Sequence, residues 1–447
     1  MLRTTPVGRL AALCLAAALA APVAAAPPPP PTIAAKDRQA ILDDVAAALN
    51  ETYVFPETAK KMEEHVRRQL ASGAYDRLAT LDAFTEKLTE DLQSVRKDLH
   101  LGVHWQPEEP APAGGPALTP AQQRERNRAA IRRDNYCFRK IERLAGNVGY
   151  LRLDCFAPAE LGGATAVAAM GFLAGSDALI FDLRQNGGGN PSMIQLLTSY
   201  LLPEEPTHLN SFYVRKGDRT DQFWTQAWVP GTRLPDVPVF VLTSGRSFSG
   251  AEEFTYNLKN LKRATIIGET TGGGAHPTDQ HQVKGYPVVV SLPFGRAVNP
   301  ISGTNWEGTG VAPDIAVPAA EALEVAHAKA LGAIAEKATD PRIKAEAEFT
   351  RGLLEDRRAP VTLSASEMQA YVGSYGPRVV TLADGVLWYQ RQGGPKVRLQ
   401  AAGQDRFLVG DLDFFRVRFE RDAAGKVARL VGLYLDGTEE PHARDGR

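Results

Sequence analysis

Val239-Phe240-Val241-Leu242-Thr243-Ser244-Gly245-Arg246-Ser247-Phe248-Ser249-Gly250-Ala251-Glu252-Glu253-Phe254 decides the fold: an apolar run short enough for a buried strand gives way, through a Ser/Gly turn, to a helix opening at Ser249. A hydroxyl at such a junction sits where unpaired backbone N–H groups and the positive end of the helix dipole stabilise negative charge, so one segment could supply both a nucleophile and an oxyanion donor. Ser249 followed three residues on by Glu252 also fits a helix capping box, which needs no chemistry. Both readings stand on this stretch alone.

Outward from it, strands and helices alternate. Ala178 to Leu183, a helix from Pro191 to Leu202, Val239 to Thr243, a helix from Ser249 to Leu261 and Ala264 to Gly268 form repeated βαβ units, which predict a mainly parallel sheet. Two more glycine-rich loops follow strands in this region, Asp182-Leu183-Arg184-Gln185-Asn186-Gly187-Gly188-Gly189-Asn190-Pro191 and Gly268-Glu269-Thr270-Thr271-Gly272-Gly273-Gly274-Ala275-His276-Pro277. In a parallel sheet the three loops share one edge, the expected place for a cleft. The first could hold an anion or a developing oxyanion on its N–H groups, but neither the Rossmann spacing nor a following Lys-Ser/Thr pair is present for phosphate.

Upstream, Asp37 to Leu49, Pro56 to Ser72 and Leu81 to Arg96 space apolar residues at helical intervals, and a Pro/Ala/Gly-rich linker over 107–125 separates this 27–106 helical domain from a 126–340 core. Downstream, short alternating segments between Val379 and Leu435 predict a small antiparallel sheet or barrel over 360–447. At 447 residues two or three domains are expected. The net charge of −1, with both signs interspersed, argues against nucleic acid and anionic lipid as partners. Two arginines, an apolar run from Leu10 to Ala21 and small residues at Val23-Ala24-Ala25-Ala26 predict a cleaved signal peptide over 1–26, hence export to a periplasmic or extracellular space without a stable membrane anchor. Of the cysteines left, Cys137 and Cys155 fall on two predicted strands, Tyr136 to Leu144 and Val148 to Phe156. Pairing Leu144 with Val148 sets them opposite one another, as a disulfide or as two buried thiols. No Cys/His spacing suggests zinc, and neither metal nor cofactor is expected.

A serine nucleophile needs a base. His276 is placed by sequence to face the cleft, and His100 in Asp98-Leu99-His100 lies far upstream, which triad assembly permits. SFSGAEEF, LRQNGGG, GETTGGG and GTNWEGTGVAPDI, all after the DLH element, resemble the tail-specific or C-terminal processing serine peptidases, in the branch similar to the tricorn core and the interphotoreceptor retinoid-binding protein. The resemblance spans about Ala35 to Ala335. It implies an α/β core of ClpP/crotonase-like ββα units, Ser249 as nucleophile with Ser247 in support, His100 as base and Glu307 as third member. His276 and Asp98 are secondary candidates. The lysine base of the processing branch would fall at Gly274, and the serine that precedes the tricorn histidine is replaced by Leu99. Gly187, Gly188 and Gly250 are the implied oxyanion donors. The implied substrate is a peptide, a protein tail or an unfolded chain, and the alternative on the same fold is a non-catalytic carrier of a hydrophobic ligand. Oligomeric state is left open.

Overall fold

The computed structural model describes residues 29–107, 118–403 and 405–446; the signal peptide expected over 1–26 and most of the expected linker lie outside them. Three helices open the chain: α1 (Ala35–Thr52), α2 (Pro56–Ala71) and α3 (Leu81–Val95). Each turns an apolar stripe inward, with Ile41, Leu42, Val45, Met62, Val66, Phe84 and Leu88 buried together. After α3 a turn carries Asp98 and His100 into β1 (Gly102–Trp105). The next helix, α4 (Pro120–Arg133), begins inside the stretch expected to be a linker. Its start is a local effect, because the Thr119 hydroxyl accepts from Gln122 N–H and the fixed φ of a proline suits the first helical position.

The core follows in chain order as β2 (Phe138–Leu144), β3 (Val148–Leu153), α5 (Ala159–Leu173), β4 (Ala178–Asp182), α6 (Pro191–Tyr200), β5 (His208–Val214), β6 (Arg219–Trp224), β7 (Val239–Thr243), α7 (Gly250–Asn260), β8 (Ala264–Gly268), β9 (Thr278–Gln282), β10 (Val288–Pro293), β11 (Gly295–Val298), β12 (Ile315–Ala316) and α8 (Ala322–Lys337). The central sheet has the order β12-β8-β7-β4-β3-β2; it is parallel from β12 through β3, and β2 is antiparallel at the edge. β4 and β7 are buried on both faces, which is why they read as continuous apolar runs. One face packs α5, α6 and α7 around Phe181, Val241 and Phe254, and the other packs α8 through Ala326, Ala330 and Leu331.

Two smaller sheets complete the site region. β5 pairs with β6 and β11, and β1 pairs with β10, which also pairs with β9. Val288, Val290 and Leu292 of this second sheet, with Val283 from the turn between β9 and β10, bury against α1–α3. The amino-terminal unit is therefore completed by strands from the core, and the expected boundary near residue 106 is crossed by β-pairing.

β2 and β3 pair in the register that sets Leu144 opposite Val148. Cys137 precedes β2, in a turn whose residues Asn135, Tyr136 and Cys137 all have positive φ, and it is disulfide-bonded to Cys155 with a Cα–Cα distance of 5.3 Å. The expected strand starting at Tyr136 thus begins two residues later.

α9 (Pro341–Arg358) and α10 (Ala365–Tyr371) lead to eight antiparallel strands, β13 to β20, from Gly373–Tyr375 to Glu439–Ala443. They form a meander in sequence order, and Asp445 N–H reaches back to Ser374 C=O at 2.9 Å, so the sheet curls nearly closed. Among the described residues no helix is long and apolar enough to cross a membrane.

Candidate active site

The three glycine-bearing loops leave the carboxyl ends of β4, β7 and β8 and are laced together by hydrogen bonds. Ser247 Oγ donates to Leu183 C=O at 2.8 Å and accepts from Ser244 N–H at 3.0 Å, while Ser247 C=O accepts from Gly272 N–H at 2.9 Å. Fully buried, Ser247 ties the loops to one another. Asn186 does the same from the β4 loop: its Nδ2 donates to Leu153 C=O, and its own C=O accepts from Phe248 N–H. Ser249 is thereby held at φ 52°, ψ −116°, on the side of φ that non-glycine residues avoid, at the first turn of α7. Such strain persists only where the surroundings over-determine it.

Glu252 supplies much of that constraint. Its buried carboxylate accepts from Ser249 N–H (2.8 Å), Thr271 Oγ1 (2.5 Å), Gly273 N–H (2.7 Å) and Gly274 N–H (2.8 Å). Burial raises its pKa, and these four donors oppose the rise. The residue that reads in sequence as half of a capping box is a clamp between α7 and the third glycine loop.

Ser249 faces a cavity of about 810 Å³ whose wall includes Gly250, Gly274, His100, His276 and Trp306. The His100 ring lies on Phe248, with centroids 4.6 Å apart and planes inclined by 34°. A Cβ on Gly274 would come within 2.3 Å of Phe248 and 2.6 Å of His100 Cε1. The position where the processing branch carries lysine is thus filled by the imidazole and the phenyl ring. Burial pulls the His100 pKa down to about 4, and its Nδ1 is buried without a hydrogen-bond partner. Leu99, where the tricorn pattern has serine, is exposed and offers no such partner.

Asp98 holds His100 through the backbone. Oδ1 accepts from His100 N–H (3.1 Å), while Oδ2 accepts from Tyr53 OH (3.0 Å) and bonds His276 Nδ1 (2.7 Å). Burial works to raise the Asp98 pKa, but these partners, His276 first, hold it below the ordinary value. Glu307 stands 3.6 Å from His276 Nδ1 and accepts from Ala275 N–H at 2.6 Å; burial raises its pKa, and its Oε1 has no partner. Asp98, His276 and Glu307 come close enough to suggest a cation site. The 2.7 Å Asp98–His276 separation is that of a hydrogen bond.

Of the three implied oxyanion donors, Gly250 lines the cavity. Gly188 N–H donates to Asn186 Oδ1 at 2.8 Å and is occupied, and Gly187 is exposed away from the cavity wall. Gly189 lines the cavity, and a Cβ on Gly250 would lie 3.0 Å from Gly189 N. The bridge from Phe156 to this loop uses Gly188 C=O and Asn190 N–H, not the Gly189 amide. Gly188 still matters sterically, since a Cβ there would lie 2.7 Å from Ser249 Cβ.

Of the residues expected from the sequence, Ser249, His100 and His276 line one cavity, and Asp98 and Glu307 lie against His276. Sequence reasoning missed Tyr53, Asn186, Phe248 and Gly189. Asn186 and Gly189, inside a glycine loop already singled out, and Phe248, between Ser247 and Ser249, carried a signal; Tyr53 carried none.

Residues 147–317 match the model of peptidase family S41, and residues 34–138 match the model of the N-terminal domain of S41 peptidases in eukaryotic IRBP. Among solved structures, a putative S41 protease from Bacteroides fragilis aligns at 20% identity over 41% of this chain and 51% of its own, with TM-score 0.37. The present chain thus spans about half of that protein. A putative peptidase from Parabacteroides merdae aligns at 20% identity over 63% and 90%, with TM-score 0.44. The photosystem II D1 C-terminal processing protease aligns at 15% identity over 63% and 93%, with TM-score 0.39. The two matched segments together cover more than half of the sequence, and the chain belongs to peptidase family S41.

Proposed function

We propose that the protein is an exported serine peptidase that cleaves peptides, protein tails or unfolded chains through an acyl-enzyme. The observation that carries this reading is the strained Ser249 at the amino end of α7, facing one cavity together with His100. In the proposed cycle His100 accepts the Ser249 proton as Oγ attacks the scissile carbonyl. The oxyanion is met by the N–H groups of Gly250 and Gly189. His100 then returns the proton to the leaving amine, and water, deprotonated by the same imidazole, hydrolyses the ester. Burial, which pulls the His100 pKa down to about 4, leaves the ring neutral at physiological pH but a weaker proton acceptor than an ordinary imidazole, so the proposed step draws on its position beside Ser249 more than on its basicity. Asp98 positions the base through its backbone, and Glu307 borders the buried His276 that anchors Asp98.

A second assignment of the base has one observation in its favour. His276 bonds a buried carboxylate through Nδ1, the arrangement that orients a catalytic imidazole in a triad. A hydrophobic-ligand carrier is the non-catalytic alternative, and the aromatic cavity wall of Phe156, Phe212, Phe223 and Phe294 is what favours it. Incubation with a panel of peptides bearing free or blocked C-termini, analysed by mass spectrometry, tests the reading. Cleavage that disappears in Ser249→Ala supports it and separates tail-directed from internal cutting; no cleavage of any member by the wild type overturns it.

A further inference from the structure

The clamp residue Glu252 has a neighbour that the proposed chemistry does not use. Glu253 lies one helical turn beyond Ser249, on the same face of α7, and it lines the cavity although only 4% of it is exposed. Burial is the dominant influence on its carboxyl and no cation offsets it, so its pKa is raised to about 7. The polar group beside it is the wholly buried Asn210 amide on β5, which interacts with the carboxyl and opposes that rise. A buried carboxyl with no cation beside it is costly to ionise, and a ligand that supplies the cation recovers that cost.

The rest of the wall says which ligand. Phe156, Phe212, Phe223 and Trp306 present aromatic surface. The other charged residues on the wall are Arg219, already paired with Asp221 at 3.1 Å, and Asp279. An acid with no cation beside it, in a cavity walled partly by aromatic rings, suits a cation on an aliphatic stem, which buries its methylenes against the rings and gains from their quadrupoles.

We infer that Glu253 forms a specificity subsite for the Lys or Arg side chain of the substrate residue that becomes the acyl group on Ser249. The inference rests on the peptidase reading for its placement beside the scissile bond, but the subsite itself is a binding property. One helical turn, about 5.4 Å, separates nucleophile from acid, a span that a lysine or arginine side chain covers.

The test uses the full-length protein and acetyl-Ala-Ala-X-aminomethylcoumarin substrates with X as Lys, Arg, norleucine or Glu. Wild type is expected to favour Lys and Arg over norleucine by at least about tenfold in kcat/KM, and the ratio should collapse in Glu253→Gln and in Glu253→Met, either of which suffices if the other fails to fold. A free α-amine as the source of the cation is separated by comparing acetylated with unacetylated norleucine substrates; stimulation by the free amine without a Lys preference overturns the side-chain assignment. Calorimetric titration of acetyl-Ala-Ala-Lys-amide and its norleucine counterpart into Ser249→Ala keeps the two readings apart. Tighter binding of the lysine peptide with no hydrolysis by wild type sinks the peptidase reading and leaves the subsite standing. Hydrolysis of the norleucine substrate as fast as the lysine one, or an undiminished preference in both Glu253 variants, overturns the subsite.

Discussion

At the scale of single residues the site is organised by what each polar atom can reach. Asp98 spends one oxygen on the His100 backbone and the other on Tyr53 and His276, so the two imidazoles are coupled through one carboxylate although only one is proposed as base. His100→Ala is expected to lower kcat by about 10²–10⁴-fold, the range for loss of a general base. His276→Ala should weaken turnover without abolishing it, by loosening Asp98; steady-state kinetics of both variants on one substrate decides, and the reverse ranking would move the base to His276. Glu253 gives a stability prediction of definite sign. Its native pKa near 7 lies above the ordinary glutamate value of 4.5, so the folded state binds more protons than the unfolded chain between those limits. Its contribution therefore falls as pH rises from about 4.5 to 7. Urea denaturation should show wild type losing stability across that window relative to Glu253→Gln; parallel pH profiles would place the carboxyl in solvent.

At the scale of elements, legibility depended on whether a segment's pattern matched its environment. β4 and β7, buried on both faces, were plain as apolar runs, and the loops after them were plain from their glycines. α5 was not legible: Ala159–Leu173 holds three glycines and is apolar nearly all round, so no helical stripe stands out from it. The β5–β6 hairpin was also missed, because its residues alternate weakly and its burial comes from α7 and β11. The distant pairing of β1 with β10 is a tertiary fact with no local signal, yet it fixes the turn that presents His100. The Cys137–Cys155 disulfide pins the start of β2 to the end of β3, and Cys155 and Phe156 both line the cavity. Closing a loop of 18 residues restrains the unfolded chain, for which about 3 kcal/mol is expected. Cys137→Ser/Cys155→Ser should lower stability by about that amount in urea denaturation; unchanged stability would mean the bond contributes nothing.

At the scale of the molecule, all proposed catalytic groups fall between Asp98 and Glu307, and the strands after Gly373 add none. The C-terminal meander is joined to the rest through α9, where Phe349 and Leu353 pack on Leu408 and Val431 and the buried Asp356 pairs with Arg406 and Arg416. Removing residues 360–447 should expose that apolar face and strand Asp356 without its cations. Lower solubility and melting temperature are expected, with kcat on a short peptide close to wild type; a large loss of kcat at preserved folding would give the β domain a part in the chemistry.

The central claim is that Ser249 is a reactive nucleophile and not merely the first residue of a helix. Labelling the folded protein with a fluorophosphonate probe, with the modified residue located by peptide mass spectrometry, tests it most directly. Stoichiometric modification of wild type at Ser249, absent in Ser249→Ala and strongly slowed in His100→Ala, is the predicted result. Equal labelling of wild type and Ser249→Ala, or none of either, would contradict it.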